Sequence, residues 1–320
     1  MNNAYLRCAD DAIRVSVIIP AFNAAATILR ALASVRAQQG VGMEIVIVDD
    51  ASGDDTLAVV EAAIQPGENI RLLRLAVNSG ASAARNEGIR AARGEYLAFL
   101  DADDVWMADK LRKQVAAIDA DPAVTLVSCN SQMISADGVA MKEGHVNRPP
   151  VQGAQAWKTL LMYNFIPTPT VMTRTALVRE LGGFDEALPV GEDLDLWIRL
   201  ALRGKVAVLP EILINYYNLR NSLMKRHGRQ SGNIVAPMIE RHLGEQMARL
   251  TPTELRHIRG TQSFQMGCDL FFSGGYLGSM PLFLQAARCG VRPVKSLSYL
   301  PRALLMQASR VTKQSFKSSK

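Results

Sequence analysis

The stretch from Gly94 to Lys110, GEYLAFLDADDVWMADK, sets an uncharged run, Tyr96 to Leu100, directly against three carboxylates, Asp101, Asp103 and Asp104. A short apolar run of this kind reads as a strand buried on both faces. Carboxylates packed this closely raise one another's pKa and strain the fold unless a cation or hydrogen-bond donors neutralise them. The sequence therefore calls for a positive partner at this point.

Upstream, the same alternation repeats. RVSVIIP is a β-branched run ending at Pro20, and helical spacing follows at Ile28, Leu32 and Val35. MEIVIVDD is a second buried-type strand, closed by the turn cluster ASGDD, whose Asp54 or Asp55 can cap the helix TLAVVEAAI. IRLLRLA is a weaker third strand, interrupted by Arg71 and Arg74, and Ser79 to Arg93 carries a third helix. Strand–helix alternation with continuous apolar strands predicts an α/β fold, a mainly parallel sheet flanked by helices.

Ligands of such sheets sit beyond the carboxyl ends of the strands. Those ends carry Pro20-Ala21-Phe22-Asn23, Asp49-Asp50 and Asp101-Ala102-Asp103-Asp104, which gathers five carboxylates on one rim. Helix capping explains Asp54 or Asp55 but not three acids around Asp103. The first strand–helix turn, PAFNAAAT, has no G-x-G-x-x-G dinucleotide motif, and no G-x-x-x-x-G-K-[ST] phosphate loop occurs. The phosphates of a bound nucleotide would then need Mg²⁺ or Mn²⁺, held by one or two acids. That cation is the missing partner.

The whole chain has 320 residues, 48% hydrophobic and 21% charged, and reads as globular. Cys8, Cys129, Cys268 and Cys289 are scattered without a C-x-x-C pair, which fits reduced thiols in a cytoplasmic setting. His145, His227, His242 and His257 lack zinc spacing. No secretory leader or membrane span is expected. After Asp269 no acid occurs, while Arg288, Arg292, Lys295, Arg302, Arg310, Lys313, Lys317 and Lys320 follow. The net charge of +6 thus belongs to these eight, and the remainder is at −2 (6 − 8).

Taken in order, VSVIIPAFNAAATILRALASVRAQ, EIVIVDDASGDDT and NSGASAARNEGIRAARGEYLAFLDADD resemble the nucleotide-binding half of family 2 glycosyltransferases, inverting enzymes of the GT-A fold. PTPTVMTRTALVRELGGFDEALPVGEDLDLWIRLALRG resembles their acceptor half. The resemblance implies a GT-A domain over 13–220, with a nucleotide-binding half to about 110 and an acceptor half from 111. It implies Phe22 against the nucleobase, within the Pro20–Asn23 backbone. It implies Asp50 on a uracil-like imide, Asp101 on the ribose and Asp103 on a metal, Mn²⁺ or Mg²⁺, holding the diphosphate. Asp104 is then a second ligand or a helix cap, and Arg85 meets phosphate or holds the acids together.

In GEDLDLWIRL, Gly191 to Leu200, the resemblance puts the general base on Asp193, with Glu192 orienting sugar or acceptor. Asp195 falls on another helix face and is structural; Trp197 packs under the acceptor or belongs to the core. The implied activity is metal-dependent, non-processive inverting transfer of one sugar from a nucleotide-sugar, a UDP-sugar, to a glycan or lipid-linked acceptor in bacterial surface polysaccharide assembly. The membrane spans and Q-x-x-R-W motif of processive relatives are absent. DADDV also satisfies the D-x-D-x-[TV] motif of haloacid-dehalogenase-type phosphatases, where Asp101 would be the nucleophile. A non-catalytic nucleotide-sugar-binding relative is the non-enzyme alternative.

Residues 221–232 read as a linker, with His227 either near the metal or solvated, and 233–320 as a helical region with a basic tail. Pro293 and Pro301 punctuate its end. No helix-turn-helix or aromatic-rich nucleic-acid module accompanies the basic residues, so a nucleic-acid partner is not expected. From about Ser296 onward the tail is expected to bind an anionic membrane surface, making the protein peripheral at the inner face of the membrane.

Overall fold

A computed structural model describes residues 13–135, 138–143, 151–218 and 231–318. His145, His227, Cys8, Lys320 and most of the expected linker lie outside the described residues. The chain divides into two compact units, residues 1–157 with 165–220 and residues 158–164 with 221–320.

Unit 1 is built on a nine-stranded sheet. Strands β1 (Val15–Ala21), β2 (Met43–Asp49), β3 (Ile70–Arg74) and β4 (Tyr96–Phe99) alternate with helices α1 (Ile28–Arg36), α2 (Thr56–Ala63) and α3 (Ala81–Ala91). They lie parallel in the order β3-β2-β1-β4, with Ala21 opposite Asp49 and Ile18 opposite Phe99. Neighbouring residues Val17, Ile18 and Ile19 are all fully buried, so both faces of β1 are covered. That is why β1 and β4 read as apolar runs rather than alternating ones.

Beyond β4 the parallel pattern stops. β5 (Val105–Trp106), α4 (Lys110–Asp119), β6 (Val124–Ser135), β7 (Ala140–Glu143), α5 (Ala156–Leu160), β8 (Met172–Arg174), α6 (Thr175–Glu180), α7 (Glu192–Arg203) and β9 (Lys205–Asn218) follow. β8 pairs antiparallel with both β4 and β6, β6 is parallel to β9, and β5 is antiparallel to β9. The sheet is therefore mixed, with four parallel strands in one half and a reversed strand joining the other.

The arginines that interrupt β3 have partners below the sheet edge. Arg71 pairs with the fully buried Glu44 at 2.8 Å, and Arg74 lies 3.6 Å from Asp49. β3 is the edge strand, so its outer side tolerates charge and repels further strand pairing. Gly88 on α3 faces Ile18, where an added Cβ would sit 2.5 Å from Cγ2. Only glycine lets α3 lie this close to β1, and that approach fixes where Arg85, three residues earlier, emerges.

Unit 2 is helical: α8 (Ser231–Gln246), α9 (Pro252–Phe272), α10 (Tyr276–Arg288) and α11 (Pro293–Ser318). Thr251 and Glu254 form a reciprocal capping box that starts α9. A hydrogen bond from Lys158, with those from Thr251, holds the Glu254 carboxyl down at about 2. Phe264, Phe271, Phe283 and Tyr299 form an aromatic core, with Phe283 and Tyr299 stacked at 4.4 Å. Pro301 does not end α11, which runs through it. The missing N–H costs about 3 kcal/mol, offset by packing of Ser296, Tyr299 and Ala303 on the same helix face. Cys129, Cys268 and Cys289 are free thiols. Among the described residues no helix is long and apolar enough to cross a membrane.

Candidate active site

The carboxyl ends of β1, β2 and β4 meet through backbone turns that the sequence specifies locally. Asn23 adopts φ 51°, a left-handed conformation that asparagine tolerates. Its backbone N–H donates to Ser52 Oγ and its Oδ1 accepts from the Gly53 N–H, both at 2.9 Å. Asp54 accepts from the N–H groups of Thr56 and Ala25, so it both opens α2 and ties that turn to the first one. Phe22, left on top of this platform, is 47% exposed. It is not a core aromatic, and its face is free to stack on a flat ring.

Asp50 is buried at the end of β2 and accepts from the N–H groups of Ser79 and Gly80, at 2.7 and 2.8 Å. These bonds fix the loop leading into α3. Asp49 accepts from the Ser52 N–H and leaves its buried Oδ1 unpartnered among the described residues. The two adjacent acids thus hold separate loops of the same rim.

Arg85 is the cation at the centre. Its buried guanidinium bonds Asp101 at 2.9 Å and Glu192 at 3.1 Å. Burial works against its charge, but the carboxylates of Asp101 and Glu192 outweigh this and raise its pKa. Two acids from separate sequence motifs thereby share one base. Glu192 and Asp193 open α7 behind Gly191, which sits at φ 82°. Asp193 accepts from the Leu194 N–H at 2.6 Å and from Thr168 Oγ1 at 3.3 Å.

Asp195 is buried and paired with Arg199 at 2.7 Å, and Arg199 also bonds the carbonyls of Leu181 and Gly183. Its role is to pin the GGFDE turn. Trp197 is fully buried between Phe99 and Phe184, its indole N–H on the Ile166 carbonyl. It has no exposed surface and belongs to the core, the second of the two places the sequence left open for it.

Asp103 and Asp104 divide. Asp104 is buried and accepts from the Tyr217 N–H at 2.8 Å. Burial, then Asp101 and Asp103, raise its pKa well above the usual carboxylate range. It does not cap α4, which begins at Lys110; it anchors the end of β9 instead. Asp103 is only partly buried, and burial with the charge of Asp101 pushes it up to about 6. Arg30 draws it back down in part, but the Arg85 guanidinium pairs with Asp101 and Glu192 instead.

Three neighbours of this acid cluster carry no motif and were not legible in the sequence. Arg30, on α1, donates to the Asp103 carbonyl at 2.8 Å while lying 3.7 Å from the centre of the Tyr217 ring. Tyr216 has its pKa raised, by burial first and then by Asp101, Asp104, Asp103 and Asp193. Thr168, on the turn Thr168–Thr170, reaches Asp193.

The residues present fit a divalent cation in part. Among the described residues no cluster of three or more histidine, cysteine, aspartate or glutamate side chains forms a ready-made cage. Asp103 supplies one under-neutralised carboxylate at the lip, which suits an ion whose remaining ligands are diphosphate oxygens and water.

This architecture, a parallel half-sheet with acids at its carboxyl ends and a reversed half carrying a second acidic helix, is the GT-A glycosyltransferase fold. The mannosyltransferase PcManGT from Pyrobaculum calidifontis, solved with GDP-Man and Mn²⁺, superposes with TM-score 0.61 at 20% identity over 93% of this chain and 86% of that one. TarS 1–349 of S. aureus, solved with UDP-GlcNAc, gives 0.58 at 18% identity over 94% and 92%.

Residues 16–179 match Glycosyl transferase family 2, and the chain belongs to that family. It is 37% identical over 220 residues to the succinoglycan biosynthesis protein ExoO of Rhizobium meliloti (strain 1021), covering 66% of this chain and 62% of that protein. It is 32% identical over 211 residues to the amylovoran biosynthesis glycosyltransferase AmsB of Erwinia amylovora, covering 64% and 70%. The chain thus spans less than two thirds of the Rhizobium protein's length. With the family established, the phosphatase reading of DADDV lapses.

Proposed function

We propose that the protein is an inverting, non-processive glycosyltransferase that moves one sugar from a nucleotide-sugar, a UDP-sugar, to a glycan or lipid-linked acceptor in bacterial surface polysaccharide assembly. The observation that carries this reading is the Arg85 bridge, which joins Asp101 of the nucleotide side to Glu192, the neighbour of Asp193. Donor and acceptor chemistry need such a junction, because the base must act across the sugar from the diphosphate.

In this reading Phe22 stacks on the base, with Pro20, Ala21 and Asn23 around it, and Asp50 accepts from the imide. Asp101 takes the ribose, and Arg85 steadies the acids. Asp103 holds Mn²⁺ or Mg²⁺, which would supply positive charge to the leaving diphosphate. Asp193 removes the proton from the acceptor hydroxyl, and Glu192 orients sugar or acceptor. The solved relatives with UDP-GlcNAc and with GDP-Man and Mn²⁺ support a nucleotide-sugar donor and a divalent ion. The named polysaccharide proteins support the setting. The proposed domain limits are 13–220 for transfer and 233–320 for the helical region.

The test is a thermal-shift screen of nucleotide-sugars with and without Mn²⁺, since a ligand that binds the native state raises apparent stability by mass action. UDP-sugars should stabilise only when metal is present. Equal shifts without metal, or none with any nucleotide, would overturn the reading.

A further inference from the structure

Helix α11 has three different sides. Ser296, Tyr299 and Ala303 face inward and are buried. At 100° per residue, Val294, Leu297, Pro301, Leu304 and Leu305 fall together on the far side. That side is open: Val294 is 83% exposed, Leu305 71%, Leu304 53% and Leu297 47%. Lys295 and Arg302 lie along its edge. The Arg302 guanidinium is 5.9 Å from the Tyr299 ring centre, and Arg310 donates to the Gly274 carbonyl.

Apolar side chains clustered this way on an open helix face mark an interaction surface. We propose that the outer face of α11 docks on an anionic lipid bilayer. The charge selects the occupant. A second copy meeting this face would bring together two faces that each carry Lys295 and Arg302, with no acid after Asp269 on either to offset them. An anionic headgroup layer accepts both components, taking the leucines into its acyl boundary and the bases at its surface. Among the described residues no helix is long and apolar enough to cross a membrane, and in this proposal α11 lies in the interface.

The surface differs from the one the tail sequence suggests. The face proposed here adds Val294 and Lys295 to the tail expected from about Ser296 onward, and because Ser296 and Tyr299 belong to the core, truncation at Ser296 would open the bundle. Point substitutions on exposed positions are the cleaner probe. The inference stands apart from the transfer reading, since it rests on unit 2 alone.

The full-length protein, Leu304→Ser/Leu305→Ser and Lys295→Glu/Arg302→Glu are sedimented with phosphatidylglycerol–phosphatidylcholine vesicles and with phosphatidylcholine vesicles, at low and high salt. Wild-type protein should pellet with the mixed vesicles at low salt and be released at high salt. Each lost positive charge should weaken binding by on the order of fivefold. Both variants should stay in the supernatant while keeping the wild-type unfolding transition and any nucleotide-induced shift. No pelleting, equal pelleting with neutral vesicles, or unaltered binding by both variants would overturn the proposal. So would a concentration-dependent dimer, abolished by the leucine substitutions, in protein that ignores vesicles; that would give the face to a second copy.

Discussion

Asp101 and Glu192 stand 91 positions apart (192 − 101) and are bound by the same guanidinium, 2.9 and 3.1 Å from Arg85 nitrogens. Removing that base leaves two carboxylates facing each other, with Asp193 close behind. Loss of one partner from a fully buried pair costs about 3–5 kcal/mol. These acids keep some solvent contact, so Arg85→Ala should destabilise by a smaller amount, about 1–3 kcal/mol. Arg85→Lys restores the charge but not the two-way fork, and should recover stability more than transfer. Urea unfolding beside a transfer assay separates the two. Equal recovery of both by lysine would mean that charge alone matters.

Asp103 is expected to behave differently from its neighbours, because among the described residues its carboxylate has neither the Arg85 ion pair of Asp101 nor the Tyr217 N–H that Asp104 accepts from. Asp103→Ala should abolish metal-dependent UDP binding. The apo protein should keep its fold and lose no stability, since a desolvated acid beside Asp101 is unfavourable without the ion. Calorimetric titration of UDP with and without Mn²⁺ is the check. Unchanged metal-dependent affinity would remove Asp103 from the site.

For Asp193 the substitution of choice is asparagine, which keeps the Thr168 and Leu194 contacts in shape but cannot take a proton. Transfer should fall about 10²–10⁴-fold, the span of a general base, with donor affinity nearly unchanged. A variant that transfers at close to the wild-type rate would sink the assignment.

How much of this was legible in advance follows from what each residue's partners are. β1, β2 and β4 are covered on both faces and read as nearly continuous apolar runs, so they and the acids at their ends could be read locally, whereas the edge strand β3 carries Arg71 and Arg74. β5 and β8, two and three residues long, carry too little pattern to be seen. β8 also reverses direction, which no local propensity encodes. Arg30 looks like an exposed helix residue, and its link to Tyr217 crosses 187 positions (217 − 30). Asp104 was legible as an acid, but its partner, the Tyr217 N–H, lies on a strand that joins the sheet only after long-range pairing. Pro301 misleads for the same reason: the packing that carries α11 through it comes from α9 and α10.

Lys110 poses the last test. It is fully buried without a carboxylate, its Nζ donating to Gln114 Oε1 at 2.7 Å and lying 3.8 Å from the centre of a Trp106 ring. Burial lowers its pKa to about 8, whereas an unfolded lysine titrates near about 10.4. Between these values the unfolded chain binds more protons, so the lysine's contribution to stability rises with pH across that window. Below pH 8 the full cost of the buried charge is present, about 3 kcal/mol. Lys110→Met should therefore be more stable than wild type at neutral pH, less about 1 kcal/mol for the Gln114 oxygen it leaves unpaired. The gap should narrow between about pH 8 and pH 10.5. The buried Cys129 thiol, pushed up to about 11 by burial and coupled to Lys110, titrates nearby with the opposite sign, so both proteins are compared on a Cys129→Ala background. Urea unfolding of both across this range decides the matter. A gap that stays constant with pH would mean that the Trp106 ring and Gln114 already compensate the charge.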